Sequence, residues 1–310
     1  MTTTAKPSPR SKVRKARKPG VNQRLLAFFH LAPGMSGFLI FIVIPLIASI
    51  AISLHNWPLY GDPEFVGAEN YARLLSGEDP AFYTVLGNTL VFAIGYTAVN
   101  LVVSTGIAVW LHSLPDWAPF FRVLFFIPVV TPMVANILVW KMLLQPQGAL
   151  NGASQAWLGI NLPHFLADPF WAMTMVVVMS VWQGLGYNML IFSAVLEQLP
   201  ESVIEAARID GATGLRLFFR VTLPMISPAL FFATVMTMIG SLQVFAQPQL
   251  LTGGGPGNAT QPIVQFIYNN GFKFQDLGLA AAAAWILFAV IIVLTALQFK
   301  AQKKWVHYEH

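Results

Sequence analysis

Glu205-Ala206-Ala207 is followed after three residues by Gly211, and after nine more by Val221, with Leu223-Pro224 closing the run. These residue types suit docking rather than bond-making. Glu205 and Asp210 offer charge to basic groups on a partner, and Ala206 and Ala207 are small enough for another backbone to approach. Gly211 is free to take the left-handed conformation that ends a helix. A second set, Trp182, Gln183, Tyr187 and Asn188 with Gln243, Phe245 and Gln247, brings aromatic faces and neutral amides into apolar surroundings. Such groups suit stacking on the faces of a ring-shaped solute and bonding to its hydroxyls. Buried amides also act simply as glue between helices. On a continuous helix Gln243 and Gln247, four apart, share a face.

Covalent chemistry finds little support. There are no cysteines, so thiol catalysis, disulfides and zinc-thiolate sites are excluded. His30, His55, His112, His164, His307 and His310 are scattered, and none is read as a metal ligand. Gly34-Met35-Ser36-Gly37 resembles the nucleophile site of an intramembrane protease. That chemistry needs a histidine base, and the last apolar run holds none, so close helix packing explains the small residues better. The glycine-rich run from Leu251 to Asn258 has no Gly-Lys-Ser/Thr after it and no strand before it. It is therefore no nucleotide loop, and no such loop occurs elsewhere. The apolar runs carry no acid or base at their centres, with Lys141 near an outer end, which argues against an ion relay.

The elements that position these residues are membrane spans. Of 310 residues 56% are hydrophobic and 10% charged, against about 25% charged in soluble domains. A helix needs about 20 apolar residues to cross a bilayer. Runs of that length fall at 27–54, 85–112, 119–145, 170–192, 228–250 and 277–300. Pro33, Pro45, Pro128 and Pro132 predict kinks within them. The expected fold is an all-α integral membrane protein with six transmembrane helices. Its domains are a basic, disordered cytoplasmic tail at 1–26, a six-helix membrane domain at 27–300 and a cytoplasmic tail at 301–310.

Charge sets the sidedness. Lys6, Arg10, Lys12, Arg14, Lys15, Arg17, Lys18 and Arg24 precede the first span without an acid, and Lys300, Lys303 and Lys304 follow the last. Both termini are expected inside. The loop at 55–84 is acidic and belongs outside. The loop at 193–227, with Arg208, Arg216 and Arg220, belongs inside. The basic start is read as a topology signal rather than a patch for anionic lipid or nucleic acid, and its apolar run is too long for a cleaved leader.

Within the inner loop, here taken as 197–227, Pro200 and Glu201 suit a helix start. Ile204, Ala207 and Arg208 share a face, and Gly211 ends the helix. A second helix from Thr213 to Leu223 presents Leu217, Phe218 and Val221, and Pro224 breaks it. By pattern alone the loop is either a docking element or an interfacial amphipathic hairpin.

The Glu-Ala-Ala, Gly, aliphatic, Leu-Pro spacing resembles the signature loop of permease subunits of binding-protein-dependent ABC importers, with Val221 in place of the usual isoleucine. Phe65-Val66-Gly67, Asn70-Tyr71, Leu74-Leu75, Asn88-Thr89, Phe121-Arg122, Pro128, Trp140, Gly148, Leu150-Asn151, Asp168-Pro169 and the 251–256 loop with Thr260 are similar to the carbohydrate branch, of the maltose and glycerol-3-phosphate type. The resemblance covers nearly all of the chain after the basic tail.

It implies the type I importer permease fold with both ends inside a bacterial cell membrane. It also implies a second permease as heterodimer partner, two ATPase subunits, an extracytoplasmic solute-binding protein and a carbohydrate cargo, with membrane lipid around them and no nucleic acid. No cofactor is expected on this chain, because ATP and Mg²⁺ belong to the ATPase. The implied roles are ATPase coupling for Glu205, Ala206, Ala207, Asp210, Gly211, Ala212, Leu223 and Pro224. The competing readings are a secondary sugar carrier, ion-coupled or not, and a membrane-embedded enzyme.

Overall fold

The computed structural model describes residues 21–58 and 61–306. The basic stretch up to residue 20, with the tail expected there, and His307 and His310 lie outside the described residues. The chain divides into two units, Met1–Ala51 and Ile52–His310.

The first unit is helical. Helix α1 (Val21–Phe38) passes through a widened turn, Leu39–Val43, into α2 (Ile44–Ser53). The Ile44 amide bonds the Leu39 carbonyl, five residues back. Pro45 follows directly. A proline has no amide and clashes with the carbonyl four residues earlier, and a five-residue turn relieves both. Phe28, Phe41 and Ile47 are exposed, as suits a helix bathed in lipid.

The second unit opens with a short ribbon, His55–Asn56 against Glu64–Phe65, and α3 (Glu69–Leu75). The ribbon is the one strand pair among the described residues and was not expected in an all-α chain. Helices α4 (Pro80–His112) and α8 (Pro169–Leu196) form its central pair, with α5 (Ala118–Val130) on α8. Both central helices start at an Asp-Pro step. Asp79 accepts the Ala81 amide and Asp168 the Trp171 amide, and the following proline occupies the first turn. Aspartate satisfies an orphan donor there and proline loses nothing. The caps start these helices at Pro80 and Pro169, ahead of the apolar runs at 85 and 170.

Two expected spans are broken. The run at 119–145 divides into α5 and α6 (Met133–Leu144), bent by 95° from α5 to the segment Met133–Leu158, which includes α7 (Ala149–Leu158). Thr131 is extended and Pro132 cannot continue the ladder. The run at 228–250 divides into α12 (Ser227–Leu242) and α13 (Ala246–Leu251). Between these broken runs lie α9 (Glu201–Ile209), α10 (Gly214–Leu217) and α11 (Leu223–Met225); α14 (Ile263–Tyr268) and α15 (Leu277–Gln302) complete the chain. Four helices among the described residues are long and apolar enough to cross a membrane, and up to six if Ala118–Val130 with Met133–Leu158, and Gly214–Met225 with Ser227–Leu242, each form one bent span.

Three buried clusters hold the second unit. One joins α3, α4, α14 and α15 through Leu74, Phe82, Phe266 and Leu279. The small-residue run Gly278 to Ala284 contributes Leu279, Ala282 and Ala283 to this cluster, so it packs against neighbouring elements of its own chain. A second cluster lies at the loop end, with Leu111, Met189, Phe192, Leu196 and Ile226. The third joins α4, α6, α8 and α13 through Phe92, Ile137, Met179 and Leu251. Lipid is as apolar as these side chains, so close packing rather than escape from water stabilises them.

Candidate functional sites: a cavity between the spans and a helical loop

A cavity of about 620 Å³ lies between α4, α8 and the broken α12–α13 segment. Five of the seven expected path residues line it: Tyr187, Asn188, Gln243, Phe245 and Gln247. The two amides do not share one helical face as expected. Gln243 caps the end of α12, Phe245 leaves helical geometry at φ −141° and ψ −57°, and Gln247 lies in the first turn of α13. The break itself aims both amides inward.

The structure places the other two elsewhere. Trp182 stacks at a tilt on Trp140, with ring centroids 5.8 Å apart, and lines an apolar groove between α4 and α8. Gln183 is buried among the helices, and its Oε1 has no hydrogen-bond partner. Helical spacing explains this, since Ser180, Gly184, Tyr187 and Asn188 form the face that looks into the cavity.

Several lining residues carried no sequence signal. Phe92 and Tyr96 sit one turn apart on α4, their rings stacked at 5.6 Å and an interplanar angle of 3°. A Cβ at Gly184 would collide with the Tyr96 hydroxyl, so glycine there makes room for the tyrosine. Thr237, Gly240 and Ser241 of α12 complete the wall. The wall therefore offers aromatic faces, hydroxyls and amides, and no Asp, Glu, Lys or Arg is among its lining.

The loop at 197–227 contains the two expected helices. Helix α9 begins after Pro200 with Glu201 in its first turn. At its end the Ala212 amide bonds the Ala207 carbonyl at 2.9 Å and the Gly211 amide bonds the Arg208 carbonyl at 3.0 Å. Gly211 has φ +84°. The paired bonds and the left-handed glycine form a Schellman stop. Thr213 then starts α10, which widens at Phe218–Thr222 and continues as α11. The Leu223 amide reaches back to Phe218, again directly before a proline, Pro224. The expected break at Pro224 falls instead at Ile226, with a bend of 71° into α12.

Ile204, Ala207, Leu217, Phe218 and Val221 are half-buried, whereas Glu205, Ala206 and Asp210 are exposed. Val203, Leu215 and Phe219 are also exposed, and Ile209 is 86% exposed. The loop thus presents a small-residue, acidic and apolar surface outward. A cleft of about 660 Å³ beneath it is lined by Glu205 and Arg208 together with His112 of α4 and Glu197 at the end of α8. Glu197 accepts from Arg122, joining α8 to α5 beside the loop.

The glycine-rich run is a folded loop. Thr252 and Thr260 hydroxyls lie 2.6 Å apart, Gln265 donates to the Gly253 carbonyl, and Asn88 of α4 donates to the carbonyls of Asn258 and Gln261. No group of three or more potential metal-ligating side chains occurs among the described residues.

Comparison with known proteins agrees with this geometry. The family described as the inner membrane component of binding-protein-dependent transport systems matches residues 102–307. The chain is 33% identical to the probable ABC transporter permease protein YurN of Bacillus subtilis (strain 168), over 90% of this chain and 97% of that one. It is 33% identical to the sn-glycerol-3-phosphate transport system permease protein UgpA of Yersinia pestis bv. Antiqua (strain Antiqua), over 94% and 99%. It is 30% identical to the lactose transport system permease protein LacF of Rhizobium radiobacter, over 89% and 94%. A chain of a bacterial alginate ABC transporter, solved with its pentasaccharide-bound periplasmic protein, superposes with a TM-score of 0.81 at 21% identity, covering 92% and 96%. The family and the type I importer fold agree, and the chain belongs to the inner-membrane permease components of binding-protein-dependent ABC transport systems.

Proposed function

We propose that this chain is one of two permease subunits of an ATP-driven importer, and that its cargo is a neutral di- or oligosaccharide. The observation that carries the cargo is the cavity, whose volume lies in the range of small-molecule sites. Tyr96, Tyr187, Phe92 and Phe245 offer ring faces, and Gln243, Gln247, Thr237 and Ser241 offer uncharged donors and acceptors. A glycerophosphate or an acidic sugar would meet no cation in this lining. The lactose relative fits that chemistry better than the glycerol-3-phosphate relative.

The exposed surface of α9 is the proposed contact with an ATPase subunit, which supplies ATP and Mg²⁺. Glu205 and Asp210 pair with basic groups of that subunit, Ala206 and Ala207 admit its backbone, and Gly211 with Ala212 sets the stop that orients the helix. Leu223 and Pro224 carry the chain into α12. Closure of the ATPase pair on ATP moves α9, and the spans rock so that the cavity alternates between the two sides. A solute-binding protein delivers the cargo at the outer face. In this reading the basic chain ends and the 197–227 loop are cytoplasmic.

Uptake of labelled lactose and of labelled glycerol-3-phosphate by the complete importer tests the proposal. Disaccharide uptake that stops on ATP depletion, and falls at least tenfold in Tyr187→Ala, is expected. Uptake of the phosphate in preference, or uptake that survives ATP depletion, would overturn it.

A further inference from the structure

Asn188 differs from the other amides of the cavity. Gln243 and Gln247 are exposed or half-buried, whereas Asn188 is buried where three helices meet. Its Nδ2 donates to Asn100 Oδ1 of α4 at 2.7 Å and to Thr237 Oγ1 of α12 at 3.0 Å. One amide therefore bridges α4, α8 and α12.

The joints are unequal. Helices α4 and α8 are also tied by Ser104, which donates to the Leu185 carbonyl at 2.9 Å, and by the close approach at Gly184 that seats Tyr96. Helix α12 packs along α4, where the Thr97 and Ser241 hydroxyls lie 3.4 Å apart, and meets α8 in the apolar cluster at the loop end; at the level of the cavity its hydrogen bond to α8 is the Asn188–Thr237 contact. About 12 Å of helix separates Asn188 from the end of α8 at Leu196, and about 15 Å separates Thr237 from the start of α12 at Ser227. Both residues thus sit at the end of the cavity nearer the 197–227 loop, and that loop connects α8 to α12.

We infer that the Asn188–Thr237 hydrogen bond is the latch of the cavity's inner end. It joins α12 to α8 at that end, and it breaks when movement of the loop draws α12 away from α8. The chemistry allows this at low cost. Asn188 keeps its bond to Asn100, and a helical threonine hydroxyl released from a neighbour can turn to the carbonyl four residues back. The inference rests on the importer reading, because it needs ATP-driven movement of the loop.

The chain has no cysteine, so pairs can be introduced and bridged cleanly. The test compares Asn188→Cys with Thr237→Cys against Ser104→Cys with Leu185→Cys. Each pair is bridged by a short bifunctional methanethiosulfonate in the complete importer in proteoliposomes, and ATP-dependent uptake is read before bridging, after bridging and after reduction. The latch predicts at least a tenfold loss on bridging 188 to 237, restored by reductant, and less than a twofold change on bridging 104 to 185. Equal responses of the two pairs, or no loss at 188 and 237, would overturn it. Thr237→Val, which keeps the shape and removes the hydroxyl, is expected to raise ATP hydrolysis without binding protein at least threefold. Unchanged hydrolysis also overturns the latch. ATP-dependence of uptake by the wild-type importer tests the importer reading separately.

Discussion

Two glycines on α8 separate space for a ligand from space for a helix. A Cβ at Gly186 would run into the backbone carbonyl of Phe125 on α5, whereas a Cβ at Gly184 would meet the Tyr96 hydroxyl, the far end of a side chain. Backbone cannot yield as a side chain can. Gly186→Ala is therefore expected to lower stability by about 1–3 kcal/mol, read as a lower melting temperature in detergent. Gly184→Ala should leave melting nearly unchanged and lower uptake by displacing Tyr96. Gly211 poses a different constraint, since nothing lies within 4 Å of a Cβ there and its φ is +84°. The left-handed backbone alone costs a β-branched residue about 1–2 kcal/mol, and asparagine tolerates it. Gly211→Val should reduce transport-coupled ATP hydrolysis severalfold while Gly211→Asn retains most of it, and equal activity of the two variants would contradict the Schellman stop as the element that orients α9.

At the scale of elements, capping and breaking decide where helices run. The Asp79 and Asp168 side chains each bond an amide of the first turn, and loss of such a cap costs about 1 kcal/mol. Asp168→Ala should lower the melting temperature of the detergent-solubilised chain, with Asp168→Asn milder. Asn88 ties the folded glycine loop to α4, so Asn88→Ala is expected to speed amide hydrogen exchange across 253–261 without changing exchange in α8. The long apolar runs and the Gly211 stop were legible in sequence, because length, composition and a glycine after a short helix act locally. The bends were not. Pro132 announced a kink but not its 95°, and nothing between Gln243 and Phe245 signals a break. That break turns a supposed shared helical face into two residues aimed from different segments. Phe92 and Tyr96 were missed because, on an apolar helix, ring residues in a wall and ring residues against lipid look alike; Trp182, chosen for its type, lies on the wrong side of α8 for the cavity.

For the whole molecule, the cavity and the 197–227 loop occupy different depths of one helical unit, linked through α8 and α12. The account joins them as cargo path and drive, with the drive supplied by another subunit. The proposed function predicts that the chain works only in an assembly, and that reversing a charge on α9 alters transport through residues two or more helical turns away. The most direct measurement is affinity isolation of the chain from its native membrane, wild type beside Glu205→Lys, with subunit identities and ATP hydrolysis recorded. The wild-type chain is expected to bring down an ATPase and a second permease. In the variant the ATPase should be lost, or should hydrolyse ATP without response to binding protein. Recovery of the wild-type chain alone, with sugar uptake that persists after ATP depletion, would contradict it.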